Sequence, residues 1–168
     1  RILEEAGPLA GVTFNGLLFD SFEAGFQTWT KHLLTEFVAR KGYDLLDWLP
    51  VLTGRIIESR ERSEAVLWDF RHVIEELLAE NYFGVMHRLA AEHGLKIYSE
   101  SQGGPLNPLS ANRHVDVPMN EFWMPDATPR APLIKASVSA ASLAGKRVVA
   151  AEAFTATPEN GRYRNSLA

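Results

Sequence analysis

The sequence predicts an α/β protein built on parallel strands, and three observations carry that expectation. A long amphipathic segment, residues 63–93, ends at Gly94 and passes at once into a short strand segment, Leu95 to Tyr98. Four short apolar or alternating segments, at 14–22, 95–98, 115–123 and 146–151, are separated by helical or loop stretches. Each of these four ends near a carboxylate, namely Glu23, Glu100, Glu121 and Glu152. Helix, glycine, strand and polar loop in succession is the rhythm of an αβ unit. In parallel architectures the functional groups gather at the carboxyl ends of the strands.

Taken in order, residues 1–13 hold Gly7, Pro8 and Gly11 and read as loop. FNGLLFDSF (14–22) is the first strand segment. Residues 28–41 read as a helix, with Thr28 or Thr30 as N-cap and Leu33, Leu34, Phe37 and Val38 at helical spacing. Arg40, Lys41 and Gly42 form its C-terminal signal. Residues 44–53, with Pro50, are a short helical connector. Residues 63–93 form the clearest helix, with Leu67, Phe70, Ile74, Leu77 and Leu78 on one face and Ser63 as N-cap. Its length predicts a break between Asn81 and Gly84. Trp48 and Trp68 read as core residues on apolar helical faces. Residues 105–114 are loop, so no crossover helix is legible between the Glu100 and Glu121 strands, although parallel neighbours need a connection of about a dozen residues or more. Residues 131–145 form an alanine- and serine-rich helix, Lys146 to Ala151 a strand, and Thr155 to Ala168 a polar loop.

A length of 168 residues suits one domain. With 46% hydrophobic and 23% charged residues the chain is no disordered tract. Its net charge of −4 and its lack of a basic block argue against nucleic acid and anionic membranes as partners. The absence of cysteine excludes a disulfide scaffold, a thiolate zinc site and a cysteine nucleophile. No apolar run approaches the ~20 residues that cross a bilayer, and no signal-peptide pattern is present. GxxxxGK, GxGxxG and GxSxG motifs are all absent. The first residue is Arg1, and the chain reads as a piece of a longer protein.

Four acids on one face repel one another unless a cation, a network of sugar hydroxyls or protonation compensates. A pair of carboxyl groups across a sugar ring is the machinery of glycoside hydrolysis, one donating a proton and the other activating water or attacking. Trp29, Tyr98, Phe122, Trp123 and Phe154 lie near the acids in sequence and could stack on a sugar. His114, in a loop read as close to the strand ends, is the one histidine considered for substrate contact. A single glutamate after a strand is commonly a solvated loop residue; repetition at four equivalent positions sets this pattern apart.

At DSFEAG (20–25), RKGYDLLDWLPVLTG (40–54), WDFR (68–71), LLAENYFG (77–84), AAEHGLKIYSESQGGP (90–105), DVPMNEFW (116–123) and AEAF (151–154) the chain resembles glycoside hydrolase family 106, the α-L-rhamnosidases. The resemblance implies a partial (β/α)₈ TIM-barrel of about four strands. Residues 1–168 would then be one piece of a larger catalytic domain, incomplete at both ends and inactive in isolation. It further implies inverting cleavage of terminal α-L-rhamnose, with calcium assisting substrate binding. By the same resemblance Glu23 is the general acid and Glu152 the general base. Glu100 and Glu121 then fall to substrate hydroxyls or calcium, and Asp20 and Asn120 are additional oxygen donors nearby; Trp123 and His114 stay candidates for sugar contact from the residues alone. The implied partners are a carbohydrate (a rhamnoside of plant polysaccharides or glycosides) and the remainder of the parent chain, which would be periplasmic or secreted. Two alternatives stay open: a retaining, β-galactosidase-like barrel glycosidase, and a non-catalytic carbohydrate-binding remnant.

Overall fold

The computed structural model of the chain describes residues 1–25, 27–123 and 131–157. Most of the expected polar tail, residues 158–168, lies outside them. Among the described residues four strands, β1 (Gly16–Phe19), β2 (Lys96–Ser99), β3 (Val117–Trp123) and β4 (Ala150–Thr155), form one sheet in sequence order. Every neighbouring pair is parallel. Helix α1 (Ile2–Ala6) precedes β1, and the connections carry helices α2 (Leu33–Lys41), α3 (Arg60–Leu78), α4 (Val85–Ala91), α5 (Pro108–Ala111) and α6 (Ala131–Leu143). The result is a parallel half-barrel with intervening helices, as the sequence pattern and the resemblance both imply.

Local chemistry explains where the elements start and stop. Thr30 Oγ1 accepts from the His32 N–H at 3.2 Å, and α2 begins only at Leu33. Ser59, not Ser63, caps α3: its side chain accepts from the Arg62 N–H at 3.1 Å. Ser63 is buried and bonds the Ile57 backbone instead, through both N–H and C=O. The break expected near Asn81 is a π-turn, Ala79–Gly84, which changes the winding without ending the helix before α4. Between β2 and β3 the crossover is reduced to α5 and a 3₁₀ turn, Asn112–His114. Those two strands share only the register pairs Tyr98↔Val117 and Ser99↔Pro118. β4 lies later than expected because α6 closes through Lys146 N–H to Ala141 C=O at 2.8 Å, which takes Lys146 out of the strand. Glu152 therefore sits within β4 rather than beyond it.

Two apolar clusters hold the elements. Phe37, Leu45, Trp48, Val51, Val66 and Val73 join α2, α3 and the 3₁₀ segment Leu46–Thr53. Trp48 is core, as expected, but Trp68 is 61% exposed. It lies about 200° around the helix from Val66, stacked on His72 at 4.8 Å with Lys41 over its ring. The second cluster packs Leu17, Phe19, Leu95 and Ile97 against Phe83 and Ala90, and so marks the helix-covered face of β1 and β2. Strand alternation puts Gly16, Leu18 and Asp20, and Lys96, Tyr98 and Glu100, on the opposite face. There Tyr98 crosses so close to Gly16 that a Cβ would stand 2.7 Å from its ring.

Candidate functional site

The face opposite the helices collects the acids. Asp20 follows β1 and Glu100 follows β2, and the ladder continues between them through Glu100 N–H to Phe19 C=O at 3.3 Å. Across the sheet Glu121 of β3 is the register partner of Glu152 of β4. Register partners in a parallel pair share a face about 4.8 Å apart. Carboxylate oxygens of Asp20, Glu100 and Glu152 lie within 4.8 Å of one another. Three strands that are far apart in sequence thus deliver three acids to one point.

Each acid has a different setting. Glu100 is 2% exposed, and Gln102 Nε2 donates to its Oε2 at 3.3 Å. Glu121 Oε2 accepts from the Trp123 indole N–H at 2.6 Å, so Trp123 serves as a donor to an acid on this face. Glu152 Oε1 accepts from Thr155 Oγ1 at 2.6 Å. Glu23 is exposed in the loop after β1, where Ser21 Oγ donates to it at 3.3 Å. That loop is pinned to the one after β2: Phe22 N–H donates to Gln102 C=O at 2.9 Å. Gly103, at φ +84°, lets the two backbones approach so closely that a Cβ would fall 2.6 Å from Phe22 O.

His114 is not with this group. It ends the 3₁₀ turn that precedes β3, and so lies at the amino end of the sheet, opposite the carboxylates. A parallel strand has loops at both ends, and the sequence does not say which one a loop residue occupies. His114 lines a cavity of about 260 Å³ with His72, Glu75, Glu80 and Arg113. Burial, then the neighbouring His87, holds its pKa below the usual histidine value. Asn120 alternates with Glu121 and so faces away from the acids.

Two residues of the site were undervalued or unread in the sequence. Asp20, treated there as a supplementary donor, is the residue in phase with Gly16 and Leu18; period-2 counting from the strand would have ranked it above Glu23. Thr155 carried no signal, because its position depends on an irregularity in β4.

The donor set near Asp20, Glu100 and Glu152 consists of carboxylate oxygens. Calcium binds oxygens at 2.3–2.6 Å, so two ligands of one ion stand at most about 5 Å apart. The spread of 4.8 Å meets that limit, and the residues fit a hard divalent cation.

The chain is similar to known proteins. The glycoside hydrolase family 106 description, α-L-rhamnosidase, matches residues 2–164. A protein of Formosa agariphila named "Putative beta-glucuronidase" is 39% identical over 154 residues, 92% of this chain and 13% of that protein. The structure of a rhamnosidase from Novosphingobium sp. PP1Y superposes with a TM-score of 0.81 at 33% identity, over 92% of this chain and 16% of that one. The chain thus spans a small part of the length of either relative.

Proposed function

The chain belongs to glycoside hydrolase family 106, the α-L-rhamnosidase family, and from that premise we propose that the protein carrying it hydrolyses terminal α-L-rhamnosides with inversion. The convergence of Asp20, Glu100 and Glu152 at one point, with Glu121 beside Glu152, supports this reading most directly. Glu152 is the general base: it takes the proton of the water that attacks the anomeric carbon. Glu23, on the loop above β1, is the general acid that protonates the departing glycosidic oxygen. Asp20 and Glu100 would hold calcium, with a Glu152 oxygen at the edge of the same cluster. Bound there, calcium supplies positive charge for the hydroxyls of the sugar. Glu121, oriented by Trp123, accepts from a further sugar hydroxyl.

The similarity to a protein named as a β-glucuronidase raises a second substrate. A glucuronide carries its own carboxylate, and the acids of this face outnumber the two charges that one calcium would supply, so they repel it. Rhamnose is uncharged and suits this face better.

The test is hydrolysis by the full-length protein of an aryl α-L-rhamnoside beside an aryl β-D-glucuronide and an aryl β-D-galactoside. The anomer released first is read by NMR. Turnover of the rhamnoside with release of the inverted sugar is expected. Preferential turnover of either β-glycoside, or release of the retained anomer, overturns the proposal.

A further inference from the structure

We propose that Thr155 is a positioning residue for Glu152, brought to it by a bulge at Phe154; the inference rests on the reading of Glu152 as the general base. In an unbroken strand residues alternate between faces. From Glu152 that places Ala153 away, residue 154 on the same face and Thr155 away. The observed register departs from this. Phe122 pairs with Ala153 and Trp123 with Thr155, so the register skips Phe154 and β4 carries one residue more than β3 at this point. Its φ of +61° is in the left-handed region, which an aromatic residue rarely adopts. Among the described residues only Glu58 shares that trait outside glycine.

The bulge is held from the side by an edge-to-face contact of Phe154 with Phe122, ring centroids 4.9 Å apart. Its effect is to shift the alternation by one residue. Thr155 then shares the face of Glu152, and its Oγ1 stands 2.6 Å from Glu152 Oε1. That is the length of a hydroxyl–carboxylate hydrogen bond with a charged acceptor. The bond holds Oε1 and so restricts the rotation of the carboxylate that is to take the proton of the reacting water. Bulges recur beside active sites because they re-aim a side chain, and local backbone strain collects where the surroundings over-determine it. Here the strained residue is Phe154 and the re-aimed one is Thr155.

The experiment uses the full-length enzyme and an aryl α-L-rhamnoside, with Thr155→Val, Thr155→Ser, deletion of Phe154 and Glu152→Gln. Valine keeps the shape of threonine and removes the hydroxyl. Thr155→Val is expected to lower kcat by up to ~100-fold, the scale of a misplaced catalytic group, with KM and Tm unchanged. Thr155→Ser, which restores the hydroxyl, is expected to return most of that loss. Deletion of Phe154 restores plain alternation and is expected to cost at least as much as Thr155→Val. Parental kcat in Thr155→Val beside an inactive Glu152→Gln overturns the positioning role and leaves the base assignment standing. Failure of serine to recover what valine lost also overturns it. Near-parental turnover of Glu152→Gln overturns both readings at once.

Discussion

Arg40, in the last turn of α2, holds both carboxylate oxygens of Glu80 in the π-turn, at 3.2 and 2.6 Å. It also reaches Glu76 at 3.4 Å and Glu36 at 3.6 Å. One guanidinium therefore ties α2 to the place where the long helix changes its winding. That place in turn sets Tyr82 against Phe19 at the end of β1, ring centroids 6.3 Å apart. The tie is electrostatic: its hydrogen bond to Glu80 raises the Arg40 pKa, and the same bond holds the Glu80 carboxyl below its usual range.

This pair makes stability depend on acid. A carboxyl whose folded pKa is depressed contributes stability above its unfolded value, and that contribution is lost as pH falls through the folded value. For Glu80 the window opens near 4.5 and runs downward. Glu80 is half exposed, so the effect is modest, about 1 kcal/mol or less. In Arg40→Gln the Glu80 contribution to that acid-side decline is expected to vanish. Urea denaturation midpoints of the two proteins, measured from pH 7 down to about pH 3, check it; parallel profiles would contradict it.

Phe37 and Trp68 separate core from surface. Phe37 is fully buried and meets the Tyr43 ring edge-on at 5.1 Å. Phe37→Ala is expected to cost ~3–5 kcal/mol. Trp68→Ala, at an exposed position, is expected to cost less than about 1 kcal/mol. Denaturant unfolding of the two variants distinguishes these costs.

Gly103 is expected to resist even alanine. The added methyl meets Phe22 O at 2.6 Å, and φ is +84°. The loop that carries Glu23 must then move. Gly54 has the same φ and nothing within 4 Å of an added Cβ, so Gly54→Ala reports the backbone penalty alone. Gly54→Ala is expected to lose ~1 kcal/mol with normal turnover, whereas Gly103→Ala loses turnover as well. Equal kinetics in the two variants would show that the contact between the loops does not matter for activity.

Chelation tests the oxygen cluster. Removal of calcium from the full-length protein is expected to lower kcat/KM on the rhamnoside and to lower Tm, both restored by added calcium. Glu100→Gln, which keeps the shape and removes one charge, is expected to weaken calcium binding measured by calorimetry. Unchanged calcium affinity in that variant would place the cation elsewhere.

His114 is expected to matter for stability near neutrality and not for turnover. Burial keeps its folded pKa below 6.5. The folded state therefore binds fewer protons than the unfolded one, and stability falls as pH drops from 6.5 through the folded value. His114→Gln is expected to flatten that slope while kcat/KM holds. A large loss of turnover would return His114 to the substrate site.

Much of the fold was legible because its signals are local. Helical periodicity located α2 and the long helix, and His93-Gly94 marked where it stops. The four strand segments declared the class, and their terminal acids pointed to carboxylate chemistry. What local signals miss is phase and direction. Ser63 looked like a cap because it precedes an apolar run, yet Ser59 is the residue with extended backbone and a free reach to Arg62 N–H. Trp68 looked like core because it is apolar, yet it faces away from the packed stripe. Glu23 looked like the acid that ends β1, yet Asp20 is the one in phase with the strand.

The sequence by itself determined the elements, the family and the supply of acids, because propensity, periodicity and motif order act over a few residues. Tertiary structure decided which acids meet. Asp20, Glu100 and Glu152 are brought together only by parallel register between strands far apart in the chain. It also decided which end of the sheet His114 occupies, and that one extra residue in β4 turns Thr155 toward Glu152. Register and bulges are set by pairing between strands, so no window along the chain contains them.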